Sequence, residues 1–153
     1  MSEFTIRPAV PEDWPVIADF NCRLAGESEG KQLDPVLVGD GVQALLADPL
    51  KGRYFVVCRE ENIVAQLMHT REWSDWRNGD IWWLQSVYVL PEFRRRGLFR
   101  MLYEHAFREA QNDANVVGLR LYVEQDNERA HETYSRLGMT RPGYFVMQKM
   151  LDR

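Results

Sequence analysis

The stretch VYVLPEFRRRGLFRMLY, Val87 to Tyr103, constrains the fold more than any other part of the chain. It opens as an apolar run rich in β-formers, breaks at Pro91, passes through Arg94, Arg95, Arg96 and Arg100, and continues with the spacing of an amphipathic helix. A strand that runs through a short turn into a helix belongs to a layered α/β architecture. Cations at the start of a helix add to the positive end of its macrodipole and are disfavoured unless an anion joins them. The free N–H groups of such a terminus, with Gly97 letting the chain approach a ligand closely, suit a phosphate or pyrophosphate. A solvated basic run is the ordinary reading of three adjacent arginines. The flanking strand and helix favour the anion cradle instead.

Composition narrows the classes of function. A chain of 153 residues with 45% hydrophobic content fits one domain, 1–153, with a single core. A net charge of −4 argues against a general nucleic-acid coat, since the basic excess is confined to one turn. No run of about eighteen apolar residues suggests a membrane span, and the first residues lack a basic segment followed by an apolar one. The expectation is a soluble cytoplasmic protein with no nucleic-acid or membrane partner. Cys22 and Cys58 are far apart, with no CxxC and no neighbouring histidine set, so they read as reduced packing thiols and no metal is expected.

In chain order, Phe4 to Arg7 alternates as a short strand, and Pro11, Glu12 and Asp13 open a helix whose apolar positions include Trp14, Ile17, Ala18 and Cys22. Gly26 to Asp34 reads as a polar loop; its acids Glu27, Glu29 and Asp34 either face water or attract a cationic acceptor. Val36 to Leu46 is a second helix weakened by Gly39 and Gly41. Tyr54 to Arg59 and Ile63 to Arg71 form a hairpin, an Asn78-Gly79 turn follows, and Ile81 to Leu90 is the longest strand. Trp73, Trp76, Trp82 and Trp83 bracket that turn, as cross-strand packing or as an aromatic wall for an acceptor. A helix from about Leu98 to Gln111, a strand from Gly118 to Val123, a helix from Asn127 to Leu137 capped by Gly138, and a last strand from Phe145 to Leu151 complete the chain.

Two motifs in this order resemble those of the GCN5-related N-acetyltransferases, the GNAT superfamily, over nearly the whole chain. The first is Arg94-Arg95-Arg96-Gly97-Leu98 between strand and helix, similar to the family's R/Q-x-x-G-x-G/A turn; Phe99 stands where the family prefers glycine or alanine. The second is Asn127, Ala130, Tyr134 and Gly138, similar to the family's later helix. Each pattern alone is weak, and their order and strand–helix contexts give them weight. A nucleotide triphosphatase is disfavoured, because neither GxxxxGK[ST] nor GxGxxG after the first strand is present.

The resemblance implies an α/β (α+β) GNAT fold: a mixed, mostly antiparallel sheet of six or seven strands, about four helices, and splayed central strands. It implies acetyl-CoA as co-substrate, direct attack by an amine in a ternary complex, an acceptor that is a small primary amine or a peptide amine, and a homodimer. The cofactor-binding set it implies is Val87, Tyr88, Val89, Arg94, Arg95, Arg96, Gly97, Leu98, Phe99, Arg100, Asn127 and Tyr134. Val87 and Val89 would offer backbone hydrogen bonds to the pantetheine arm, one amide of their strand would polarise the acetyl carbonyl, and Tyr134 would be the general acid. Asn127, Ala130 and Tyr134 fall on one helical face by spacing. Many relatives carry a glutamate near Gln85, and glutamine is no proton acceptor. Glu72, His69, Asp80 and Glu124 are the ionisable alternatives, with Glu72 preferred because it ends the strand beside the central one; a turn carboxylate and a water chain to solvent are the competing readings. His105 reads as packing. A non-catalytic acyl-CoA-binding or sensing domain is the alternative of a different class, motivated by Phe99 and Gln85. An RNA-binding module fits the arginine turn but not the acidic whole.

Overall fold

A computed structural model describes residues 2–153. Two compact units are distinguished, one ending at Leu121 and the other running from Tyr122 to Arg153.

The first unit is organised on a five-stranded sheet in the order β1-β2-β3-β4-β5. Its strands are β1 (Phe4–Pro8), β2 (Gly52–Arg59), β3 (Asn62–Ser74), β4 (Gly79–Val89) and β5 (Val116–Leu121). The first four pair antiparallel, and β5 joins β4 in parallel. Between β1 and β2 lie α1 (Trp14–Glu29) and α2 (Pro35–Ala47); α3 (Leu98–Gln111) carries the chain from β4 to β5. A parallel neighbour requires such a crossover, so the helical pattern after Gly97 and the parallel pairing of β5 are one fact seen twice.

Local chemistry accounts for the element ends. Asp34 caps α2, accepting from the Val36 and Leu37 amides, while Pro35 occupies the first turn, where its missing N–H costs nothing. The β2–β3 hairpin turns through Glu60 at φ 55°, and the β3–β4 connection closes through Asn78 at φ 50°. Gly79 opens β4 because β5 passes too close for a side chain: a Cβ there would lie 2.4 Å from Val117 Cγ1. The helical run of α1 continues through Glu29, so Gly26 to Glu29 is helix and not the loop that its polarity suggests; the turn comes at Gly30, left-handed at φ 62°.

The sheet has apolar cover on both faces. On one, Ile17 and Ala18 of α1 and Val42 and Leu45 of α2 close over Tyr54, Val56 and Cys58 of β2. On the other, α3 crosses β2 to β5 and contributes buried Leu102, Tyr103 and Ala106. That second face holds an unusual aromatic stack: His69 lies on Trp82 at 3.8 Å with 9° between planes, and the Arg53 guanidinium sits over Phe55 and Trp82. Both cysteines are free thiols.

The second unit contains α4 (Glu128–Arg136), preceded by its N-cap Asn127. The six- or seven-stranded sheet expected from the resemblance is five-stranded among the described residues. Residues 145–151 form no strand, and Phe145, Met147 and Leu151 are exposed. An apolar, β-prone composition makes a strand only where another edge supplies the ladder partners of its N–H and C=O groups.

The buried His69 gives this fold a specific sensitivity to acid. Burial, then the charges of Arg53 and Arg71, depress its pKa from 6.5 to about 3. A depressed histidine pKa favours the folded state fully above pH 6.5, and that contribution is lost as pH falls from 6.5 toward 3, because the unfolded imidazole takes a proton that the folded one refuses. At pH 5 the loss is about 2 kcal/mol. Urea unfolding at pH 7 and pH 5 should show a stability drop that shrinks by roughly that amount in His69→Phe.

Candidate functional site: the open half of β4 and the turn into α3

The site begins with a break in a ladder. Pairing of β4 with β5 runs from Asp80↔Val116 to Leu84↔Leu121 and stops there, so 85–89 has no β5 partner among the described residues. On its other side the same segment remains paired to β3, with Gln85 opposite Met68 and Tyr88 opposite Gln66. Two steps along β3 therefore face three along β4, which is a β-bulge. Its conformational signature is Ser86, a non-glycine residue at φ 51°, which costs on the order of 1 kcal/mol. The extra residue changes the direction of the backbone where one edge of β4 is left without a strand.

That edge leads into a cleft of about 330 Å³ lined by Leu24, Glu27 and Ser28 of α1, Val87, Tyr88 and Val89 of β4, and Arg94 and Phe99. At its end Gly97 caps α3 in the left-handed conformation, φ 78°, with no side chain satisfying the first amides of the helix. The first amides of a helix have no intrahelical acceptor, so several N–H groups converge beyond Gly97. Arg95 just before it is also left-handed, φ 63°.

The four arginines do not act as one cationic cluster. Arg94 donates to Glu27 at 2.7 Å and to the Val89 carbonyl at 2.9 Å, and stacks over Tyr88. Arg96 pairs with Glu3 at 2.7 Å over the rings of Phe4 and Phe93, and Arg100 pairs with Glu104 at 2.8 Å. The anions that the sequence calls for are thus supplied in three cases by the protein's own carboxylates. Arg95 is exposed and makes no ion pair among the described residues. On the sequence reading Glu27 lies in a polar loop, facing water or attracting a cationic acceptor. It accepts from the Tyr88 hydroxyl at 2.5 Å as well as from Arg94, and these two bonds, the phenol's first, hold its carboxyl below the usual range. Burial, followed by that carboxylate, pushes the Tyr88 phenol up.

Along the same sheet face as Gln85 lies a second polar group. Gln85 donates to the Thr70 hydroxyl at 2.6 Å. Glu72 accepts from the Trp83 indole at 2.9 Å and from Arg120 of β5 at 3.0 Å. Trp82 and Trp83 consequently divide between faces, one buried on His69 and the other holding Glu72, while Trp73 and Trp76 are exposed. His69 is no proton acceptor at neutral pH, being fully buried with its pKa at about 3. His105 is partly buried beneath Phe55, edge to face, as packing requires.

In the second unit, Asn127 accepts from the Ala130 amide at 3.0 Å, so its carbonyl oxygen serves as the helix cap. Tyr134 is partly buried, and burial pushes its phenol above the ordinary value. Among the described residues no group of three or more His, Cys, Asp and Glu could hold a metal, and no helix is long and apolar enough to cross a membrane.

A solved structure of a possible acetyltransferase from Clostridium difficile 630 is 44% identical, with 99% of this chain and 100% of that one covered at a TM-score of 0.92. A ribosomal-protein-alanine N-acetyltransferase from Brucella melitensis biovar Abortus 2308 shares the fold at 13% identity, covering 96% and 99% of the two chains, TM-score 0.77. So does an aminoglycoside acetyltransferase from an uncultured soil metagenomic sample, at 14% identity, 99% and 100% coverage and TM-score 0.75. No curated protein matches the chain. The profile of the acetyltransferase (GNAT) family matches residues 19–139, most of the chain, which therefore belongs to the GNAT acetyltransferases.

Proposed function

We propose that this protein transfers the acetyl group of acetyl-CoA to a primary amine, small or peptidic, in a ternary complex. The observation that carries the reading is the continuity of the unpaired β4 edge with the uncapped start of α3 through one cleft. A pantetheine arm has amide groups that can replace the missing strand, using Val87 and Val89. A pyrophosphate suits the converging amides of the turn, with Gly97, Leu98 and Phe99 forming the helix start. Arg95 supplies the uncommitted guanidinium, whereas Arg94, Arg96 and Arg100 shape the turn through their own carboxylates.

In the reaction the amine nitrogen attacks the thioester carbonyl carbon, the C–S bond breaks, and sulfur leaves as a thiolate. A β4 backbone N–H stabilises the oxyanion that develops between these events. By the resemblance of Asn127, Ala130 and Tyr134 to the family's later helix, the protonation of sulfur falls to Tyr134 in this reading. Its raised pKa keeps the phenol protonated at neutral pH, as a donor must be. Glu72 is the proposed proton acceptor for the amine, acting directly or through water. Its two partners still leave carboxylate lone pairs available. The acceptors named for the two distant structural neighbours, a ribosomal-protein alanine and an aminoglycoside, both present amines and support that class. A homodimer is part of the same reading, from the family resemblance alone.

A non-catalytic acyl-CoA-binding domain is the second reading, favoured by Gln85 standing hydrogen-bonded to Thr70 where a base would be useful. Thiol release from acetyl-CoA across a panel of polyamines, amino acids, aminoglycosides and N-terminal peptides separates the two. Catalysis predicts turnover with at least one amine class, whereas calorimetric binding of acetyl-CoA without thiol release with any of them supports the second reading.

With an active acceptor in hand, Tyr134→Phe should lower kcat by about 10²- to 10⁴-fold. Unchanged turnover removes the phenol from the mechanism. Glu72→Gln should lower kcat/KM for the amine by about tenfold or more. An unchanged kcat/KM assigns the proton to solvent.

A further inference from the structure

We propose that Gln66 is a positioning residue for the reaction, acting through the backbone of Ser86 to fix the peptide plane between Ser86 and Val87. This inference rests on the acetyl-transfer reading of the β4 edge.

Gln66 interrupts the apolar run IVAQLM of β3, and its side chain is completely buried. Such a buried amide needs hydrogen bonds, and Gln66 meets this need at its nitrogen alone, its Oε1 having no partner among the described residues. Its Nε2 donates twice: at 3.0 Å to the carbonyl of Ser86, the left-handed residue of the bulge, and at 2.8 Å to Asn21 Oδ1 of α1. Asn21 in turn donates from Nδ2 to the Tyr54 hydroxyl at 3.1 Å. One buried network from α1, β2 and β3 therefore holds Ser86 at its carbonyl. The grip falls where the backbone is under strain and where a regular ladder cannot supply the bond.

The peptide link is planar and trans, so the Ser86 carbonyl and the Val87 N–H point in opposite directions. Holding the first orients the second. Val87 lies in the cleft and belongs to the strand proposed to bind the pantetheine arm and to polarise the acetyl carbonyl. Catalysis by fixed dipoles depends on their direction being set before the reaction. Without the Gln66 donor, Ser86 is free to relax toward ordinary β geometry and carry the Val87 amide with it. The effect on rate should exceed the effect on binding, because the rest of the cleft and the α3 terminus remain as they are.

The test compares Gln66→Met, which keeps length and apolar volume but cannot donate, with Val57→Ala, a buried truncation on β2 outside the network. Both are assayed at a temperature where circular dichroism shows each folded. The expected result is a kcat lowered by about 10- to 100-fold in Gln66→Met, with KM for acetyl-CoA changed less than about threefold, and kcat near the wild-type value in Val57→Ala. Alongside, the amide ¹H–¹⁵N resonance of Val87 in the wild-type protein and in Gln66→Met should differ well beyond the general perturbation seen in Val57→Ala. A wild-type kcat in Gln66→Met, or equal losses in the two variants, overturns the proposal. If the wild-type protein releases no thiol with any amine, the acetyl-transfer reading has failed. The Val87 resonance then decides the structural part alone, and an unmoved resonance overturns the clamp.

Discussion

A single surplus residue in β4 is the constraint on which the site depends. Two positions of β3 answer to three of β4 around Ser86, and the strand must turn there while keeping its hydrogen bonds to β3. Its parallel partner β5 stays with it only as far as Leu84. The remaining backbone groups on that edge have no β5 partner among the described residues. A continuous ladder would be more regular and would leave no such open edge. The left-handed Ser86 is therefore a local cost maintained by the surrounding network of Gln66, Asn21 and Tyr54.

Electrostatics at the end of that edge follow a different logic from a simple positive patch. Three of the four arginines around Gly97 are tied to Glu27, Glu3 and Glu104, and two of these pairs join the turn to distant parts of the first unit. Such exposed pairs contribute little stability individually. Their consequence is geometric: Arg94 bridges α1 and the end of β4 through Glu27 and the Val89 carbonyl, with Tyr88 completing the contact. In the proposed reading the turn binds its anion through backbone N–H groups and Arg95, because Arg94, Arg96 and Arg100 are already engaged by carboxylates. Family membership and the fold follow from the GNAT match.

Much of this was legible in the residues. The strand–turn–helix at Val87 to Tyr103, the Asn78-Gly79 turn, the β2–β3 hairpin and both family motifs are local patterns, and local backbone chemistry decides them. Gly97 had to be flexible because the helix begins from a left-handed residue, and Asn127 had to be polar because it caps a short, weakly apolar helix. The polar stretch after Gly26 misled, because polarity marks exposure as readily as it marks a loop, and an exposed helical turn satisfies both. The apolar end of the chain misled in the opposite sense, since 145–151 has strand composition without a ladder partner.

By itself, then, the sequence determined the order of elements from β1 to α4, the mixed α/β class and the turn that leads into α3, because periodicity, capping and glycine placement act over a few residues. Only the tertiary structure decided which arginines are neutralised, that Glu27 reaches Tyr88 across 61 positions of chain, and that Gln66 reaches the carbonyl of Ser86. Those are contacts between distant segments. Their existence depends on strand register, on a one-residue bulge and on how a helix lies across a sheet, none of which leaves a periodic trace in the residues themselves.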